Sequence, residues 1–190
     1  MVKYNIFNRI LISILIAILL LTGCSVSDNK YKAVYFTTED SSFISTNELK
    51  EHNVLELNSL EELKSKVDEL DYKVGIFIDK SVLDDEIITK SLNTWLLKQK
   101  NYPIIVVGYG NPTYVYFKKL VFADEQYIPN FDDETYEKFR KQKGYSFAYI
   151  GNSGKIYGKG YKEEINIDKM LNLVNQALKG EKFVEKMMER

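Results

Sequence analysis

Side chains able to make or break bonds are few in this sequence. It contains one histidine, His52, and one cysteine, Cys24. One histidine cannot supply the several imidazole ligands of a zinc site, and a lone cysteine excludes both an internal disulfide and a dithiol redox pair. His52 follows Lys50 and Glu51 where a short helix is expected to end, so we predict a solvated side chain. From these residue types we predict no catalytic, metal-binding or cofactor-binding residues.

Two acidic clusters, Asp84-Asp85-Glu86 and Asp132-Asp133-Glu134, precede segments with helical periodicity. Carboxylates are favoured at helix starts because they accept hydrogen bonds from free amides and complement the helix dipole. Neither cluster has the ligand spacing of a calcium-binding loop. We therefore predict structural roles at helix starts for both, with Asp84 capping the helix that comes after it.

Residues 108–112, Gly-Tyr-Gly-Asn-Pro, follow the most strand-like segment of the chain. Ligands bind at the carboxyl ends of strands in open parallel sheets. However, this segment lacks the spacing of a dinucleotide-binding or P-loop motif, and we predict a plain turn. Tyrosine offers a large amphipathic surface for binding. If exposed, the best patch for a ligand or partner here consists of Tyr109, Asn111, Tyr114 and Tyr116.

The amino terminus carries a separate signal. Lys3 and Arg9 precede an apolar run over residues 10–21, which is too short to span a bilayer and has the layout of a secretory signal. The run ends in Leu21-Thr22-Gly23-Cys24, which resembles the lipobox of bacterial lipoprotein precursors at all four positions.

The resemblance implies a specific processing of the chain. Lipoprotein-processing enzymes would attach a diacylglyceryl group to Cys24 through a thioether and cleave after Gly23, and an N-palmitoyl group would be added to the new amino terminus. Two acyl chains suffice for stable anchoring, whereas one binds only marginally. The implied location is the extracytoplasmic face of the cell membrane.

Composition limits the fold and the partners of the mature chain. The sequence has 190 residues, of which 167 lie after Gly23, enough for one domain with a substantial core. Lys3 and Arg9 leave with the signal, so 24 basic residues face 27 acidic ones, a net charge of −3. This balance excludes the basic footprint of a nucleic-acid-binding domain and predicts no basic patch for anionic lipid. We expect a tether over residues 24–32 and a single domain over residues 33–180.

Alternating elements over residues 33–108 predict the fold. Apolar and β-branched runs predict strands at 33–37, 54–58, 73–79 and 103–108. Apolar periodicity predicts helices at 47–52, from Ser59 and from Asp84 to about Lys100. Ser59 and Glu62 form a capping box, in which Glu62 reaches back to the amide of the cap residue. The alternation predicts an α/β fold: a mainly parallel sheet with helices on both faces.

The remaining sequence is less regular. Residues 114–122 fit a helix started by Asn111-Pro112 better than a strand, 123–133 a loop, and 134–143 a charged helix. Residues 145–150 and 155–161 predict a β-hairpin, followed by a helix from Ile167 that stops at Gly180. Residues 181–190 form a charged tail, helical or frayed. The hairpin and final helix leave a thioredoxin-like fold without redox cysteines as the alternative.

These observations leave two functional hypotheses. The first is a membrane-anchored, non-catalytic binding or interaction module whose ligand or protein partner is unknown. The second is a membrane-tethered hydrolase that uses carboxylates at the carboxyl ends of strands. The hydrolase would need Asp79 or a similar acid to line a deep pocket beside residues 108–111.

Overall fold

A computed structural model describes residues 31–38, 43–70, 73–120, 131–152 and 154–189. The predicted lipobox, residues 21–24, and most of the tether lie outside these residues, as do residues 121–130. None of the helices in the described part of the chain has both the length and the apolar character needed to cross a bilayer.

One sheet organises the described residues. Its strands are Ala33–Phe36 (β1), Val54–Leu57 (β2), Gly75–Asp79 (β3), Pro103–Val107 (β4), Tyr145–Ile150 (β5) and Ile156–Tyr161 (β6). The strand order is β2-β1-β3-β4-β5-β6, with β1 to β4 parallel and the hairpin β5–β6 antiparallel. The predicted α/β class, the four-strand parallel core and the closing hairpin are confirmed. The hairpin and helix that suggested a thioredoxin-like alternative are present, but four consecutive parallel strands make up most of the sheet.

Helices cover both faces of the sheet, as predicted. They are Thr46–Glu51 (α1), Leu60–Glu69 (α2), Lys80–Asp84 (α3), Glu86–Leu96 (α4), the π-helix Tyr114–Lys119, Asp133–Arg140 (α5), Ile167–Ala177 (α6) and Glu181–Met188 (α7). One apolar core lies between the sheet and α2, α4 and the π-helix. The other lies between the sheet and α1, α6 and α7. All residues of β3 and β4 are buried because each strand is covered from both sides.

The helix predicted from Asp84 to about Lys100 is present as α4, but its cap lies one residue later, it ends at Leu96, and the short α3 before it was not predicted. Asp79 Oδ1 accepts a hydrogen bond from Ser81 N at 2.8 Å, and so caps the short α3. Asp85 Oδ1 accepts from Ile87 N and Ile88 N, both at 2.9 Å, and caps α4. Asp84, the predicted cap, instead ends α3. The chain breaks at Asp85 because that residue has an extended backbone, with φ −91° and ψ 112°.

Other helix starts match their predicted signals closely. Ser59 Oγ accepts from Glu62 N at 3.2 Å, but the Glu62 carboxylate accepts from Asn58 N at 3.2 Å and not from the cap residue. Asp132 accepts from Thr135 N at 2.7 Å. Residues 181–188, expected as a helical or frayed tail, form α7, in which Val184 is fully buried.

Candidate functional site

The strand order reverses between β1 and β3. From β1 the chain passes outward to β2, then returns to the other side of β1 and continues through β3 and β4. In open α/β sheets such a switch point opens a crevice outside the carboxyl ends of the strands, where ligands bind. A ligand site is therefore expected first at the carboxyl edge of this sheet.

Four polar side chains meet at this switch point. The Tyr35 hydroxyl donates to Asp79 Oδ2, while Asp79 Oδ1 accepts from Ser81 N. Thr37 Oγ1 lies 3.4 Å from Ser81 Oγ. Asp79 is only 3 % exposed. Both carboxylate oxygens of Asp79 thus have structural roles: Oδ2 links β3 to β1, and Oδ1 caps α3.

The loop after β4 is tightly packed. Gly108 N donates to Gly144 O at 2.9 Å, and Gly110 N donates to Gln142 O at 2.8 Å. A Cβ on Gly110 would overlap the carbonyl of Lys143. The turn predicted for this segment is present, and it is packed backbone against backbone on the start of β5.

The four residues of the predicted binding patch are buried, so the exposure on which that prediction depended is not found. The Tyr109 hydroxyl donates to Asp84 Oδ1 at 2.7 Å, and burial together with this bond raises the Tyr109 pKa well above its ordinary value. The Tyr116 hydroxyl donates to Ser146 O at 2.7 Å, and burial raises its pKa also. These two buried hydrogen bonds connect the segment after β4 to α3 and to β5.

Asn111 starts the helix that comes after this loop. Its Oδ1 accepts from Tyr114 N at 3.0 Å, and its Nδ2 donates to Gln142 Oε1 at 3.1 Å. Pro112 begins the helical backbone, as predicted. The helix then widens, because Leu120 N donates to Val115 O, five residues earlier, at 2.8 Å. Such π-type turns are frequent at functional sites.

A groove of about 380 Å³ lies between α4 and the π-helix. It is lined by Leu83, Glu86, Thr89, Lys90, Asn93, Tyr114, Lys118 and Lys119. Three ammonium groups and one carboxylate give it a positive balance. The groove was not anticipated from the sequence, although Lys118-Lys119 after an aromatic run was a visible signal.

Several contacts fix the polar groups of this groove. Lys119 Nζ donates to Leu83 O at 2.9 Å and lies 3.8 Å from Asp84 Oδ1. Lys118 Nζ lies 4.9 Å from the ring centre of Tyr136. Asn93 Oδ1 is buried and accepts no hydrogen bond from the described residues. A buried amide oxygen without a donor is costly, so a ligand donor that reached it would be favoured.

His52 has partners, contrary to the solvated position that we predicted. Its Nδ1 lies 2.9 Å from Glu48 O, and its Nε2 lies 3.3 Å from Asp168 Oδ1. The ring therefore connects α1 to α6. Among the described residues, no group of three or more histidine, cysteine or acidic side chains is arranged to hold a metal ion.

The groove and the buried switch point both bring polar groups together at the carboxyl edge. The hydrolase hypothesis requires a cavity at Asp79 and residues 108–111, and the α4–π-helix groove includes none of them. Comparison of the chain with protein-family models, with curated proteins and with solved structures found no match.

Proposed function

We propose that the protein is a lipoprotein anchored to the extracytoplasmic face of a bacterial cell membrane, where its domain acts as a non-catalytic binding module. The observation that carries the proposal is Leu21-Thr22-Gly23-Cys24 at the end of a short apolar run. A diacylglyceryl group on Cys24 supplies the two acyl chains that stable anchoring requires.

The start of the folded domain supports a short tether. Lys32 N donates to Asn53 O at 2.9 Å, and Gly75 N donates to Lys32 O at 3.3 Å, so the backbone is held in the fold from Lys32 onward. The segment from Cys24 to Lys32 spans at most about 30 Å when fully extended. An anchored domain would therefore stay close to the bilayer.

The groove between α4 and the π-helix is the proposed binding site. Leu83 and Glu86 lie after β3 and Tyr114 lies after β4, so the groove lies near the carboxyl edge, at the opposite end of the strands from the tether. Lysines favour an anionic ligand, and the Asn93 oxygen favours one with an N–H or O–H donor. A small acid that carries an amino or hydroxyl group combines both features. The hydrolase alternative has less support because both oxygens of Asp79 are engaged by Tyr35 and Ser81.

Mass spectrometry of the membrane fraction tests the anchor. We expect a mature chain that begins at a Cys24 carrying the S-diacylglyceryl and N-palmitoyl groups, and loss of both membrane association and cleavage in Cys24→Ala. Ser25→Ala is the matched control and should behave like the wild type. Unchanged processing and membrane association of Cys24→Ala would overturn the anchor.

Thermal-shift titration with glutamate and glutarate tests the groove. Both carry two carboxylates, but only glutamate has an ammonium donor for Asn93. We expect glutamate to raise the Tm more than glutarate, and the increase to disappear in Lys90→Ala/Lys118→Ala. The control Lys141→Ala/Lys143→Ala removes the same charge elsewhere on the carboxyl edge. The proposed site would be contradicted if neither acid raised the Tm. It would also be contradicted if glutamate raised the Tm equally in the groove variant and in the control variant.

A further inference from the structure

The strand register defines the edge of the sheet at which the tether arrives. Pairing places Val54, Ala33, Gly75, Pro103, Tyr149 and Tyr157 in one row across all the strands. We call this row and the connections beyond it the amino edge. Because Ala33 opens β1, the segment that leads back to Cys24 leaves the domain here.

The amino-edge connections are strongly basic. Their described residues are 31–32, 52–53, 70, 73–74, 97–102, 151–152, 154–155 and 178–180. These residues include six exposed lysines and no acid: Lys32, Lys73, Lys98, Lys100, Lys155 and Lys179. Asp71, in the connection between α2 and β3, lies outside the described residues.

The opposite connections have no excess of positive charge. The described residues that join elements at the carboxyl edge contain three lysines, Lys141, Lys143 and Lys162, and four acids, Asp85, Asp132, Glu163 and Glu164. The positive charge of the amino edge is therefore a local property of the fold. Composition predicted no basic patch because an overall charge near zero hides this separation.

Local contacts hold the basic connections together. Asn101 Nδ2 donates to Asn152 Oδ1 at 2.6 Å, and Lys100 Nζ donates to Asn152 O at 3.4 Å, which joins the connection before β4 to the hairpin turn. Acidic groups of α7 are engaged nearby. Glu181 and Glu185 accept from the Tyr157 hydroxyl at 3.1 and 2.7 Å, and Lys155 lies 3.5 Å from Glu185.

Apolar side chains accompany these lysines. Leu97, Leu178 and Phe183 are 45 %, 36 % and 51 % exposed. Leu97 precedes Lys98, Leu178 precedes Lys179, and Lys179 Nζ lies 5.8 Å from the ring centre of Phe183. Lysines mixed with exposed apolar groups match the boundary between lipid headgroups and acyl chains.

We propose that the amino edge is a membrane-docking face that binds anionic lipid headgroups. The inference rests on the proposed lipid anchor, since a tether of about 30 Å holds this edge nearer the bilayer than any other. Each lysine within a Debye length of an anionic surface, about 8 Å at physiological salt, strengthens association roughly fivefold. The docked domain would direct the carboxyl edge and its groove away from the membrane.

Trp95, the only tryptophan of the chain, reports on this face because it lies in the last turn of α4, next to Leu97 and Lys98. The lipidated protein is reconstituted in phosphatidylcholine vesicles with or without phosphatidylglycerol, each containing a headgroup spin-labelled lipid. We expect Trp95 quenching to be several-fold stronger with phosphatidylglycerol and to fall in high salt. K98E/K100E/K179E should abolish the difference, and K98Q/K100Q/K179Q should reduce it.

The control K141E/K143E/K162E makes the same charge change at the carboxyl edge and should preserve the quenching difference. Quenching that is independent of lipid charge, or that is lost equally in both charge-reversal variants, would overturn the docking face. The mass of Cys24 in the same sample separates the two proposals. If Cys24 is lipidated but Trp95 quenching does not depend on phosphatidylglycerol, only the docking face is refuted. If Cys24 is unmodified, both the anchor and the docking face are refuted.

Discussion

The carboxyl edge of the sheet contains a set of buried, hydrogen-bonded polar groups, whereas the lysines of the amino edge are exposed. At the carboxyl edge, Tyr35, Asp79 and Tyr109 make hydrogen bonds inside the fold, and Gly110 and Gly144 allow backbones to approach closely. At the amino edge, lysines extend from short connections into solvent. The stability that buried groups contribute depends on close packing, whereas exposed charges act on ligands and surfaces through their combined electrostatic field. Substitutions should therefore affect stability at the carboxyl edge and surface interactions at the amino edge.

The same glycine substitution should have very different consequences at the two edges. Gly144 and Gly154 both have positive φ, 120° and 81°. A Cβ on Gly144 would overlap the carbonyl of Tyr161, whereas a Cβ on Gly154 meets nothing within 4 Å. We expect Gly144→Ala to lower the free energy of unfolding by more than about 3 kcal/mol and Gly154→Ala by about 1–2 kcal/mol in urea titrations. If both substitutions lowered the free energy of unfolding equally, the loss would come from the positive φ alone and not from close packing at Gly144.

A second comparison concerns two aspartates that both cap helices. Asp79 is buried and also accepts from Tyr35, while the cap made by Asp85 is exposed. Asp79→Ala should cost about 2–4 kcal/mol, because it leaves a buried hydroxyl without this acceptor, and Asp85→Ala about 1 kcal/mol. Thermal or urea unfolding measures both. If Asp79→Ala were no more costly than Asp85→Ala, the carboxylate would not be needed for structure and the hydrolase hypothesis would regain support.

A weaker effect is expected from the titration of Glu163. Hydrogen bonds from Lys169 and Tyr145, at 2.6 and 2.8 Å, lower the pKa of Glu163 below its usual 4.5. A lowered pKa in the folded state stabilises the protein above the unfolded-state pKa, and this stabilisation is lost as the pH falls through the folded-state value. We expect Glu163→Gln to lower the Tm slightly at pH 7 and to match the wild type near pH 3. Glu164→Gln serves as the exposed neighbouring control, and a difference that persisted at pH 3 would contradict the assignment.

Local signals in the sequence predicted most elements of the fold correctly. The strands are marked by runs of apolar and β-branched residues, and the caps at Ser59 and Asp132 and the stop at Gly180 depend on contacts within a few residues, so local sequence indicates them directly. The break at Asp85 was missed because Asp79, Asp84 and Asp85 are equally good caps by type. Which of them caps a helix is decided by where β3 ends and by the Tyr109 hydroxyl that engages Asp84.

The candidate sites were harder to predict because they depend on distant contacts. The binding patch depended on the exposure of Tyr109, Tyr114 and Tyr116, and these side chains are buried, with the Tyr116 hydroxyl bonded to Ser146 O of the later strand β5. The groove pairs α4 with the π-helix, and no local pattern shows which helices will lie side by side.

The amino-acid sequence alone was enough to set the alternation of strands and helices, and it contains the lipobox-like residues 21–24 on which the predicted anchor depends, because both are patterns of neighbouring residues. The burial of side chains and the places where charge collects were settled by the tertiary structure. The six lysines of the amino edge are spread from residue 32 to residue 179, and parallel strand order brings their connections to one side of the sheet. A chain with a net charge near zero thereby acquires one basic edge, since charge separation depends on topology and not on composition.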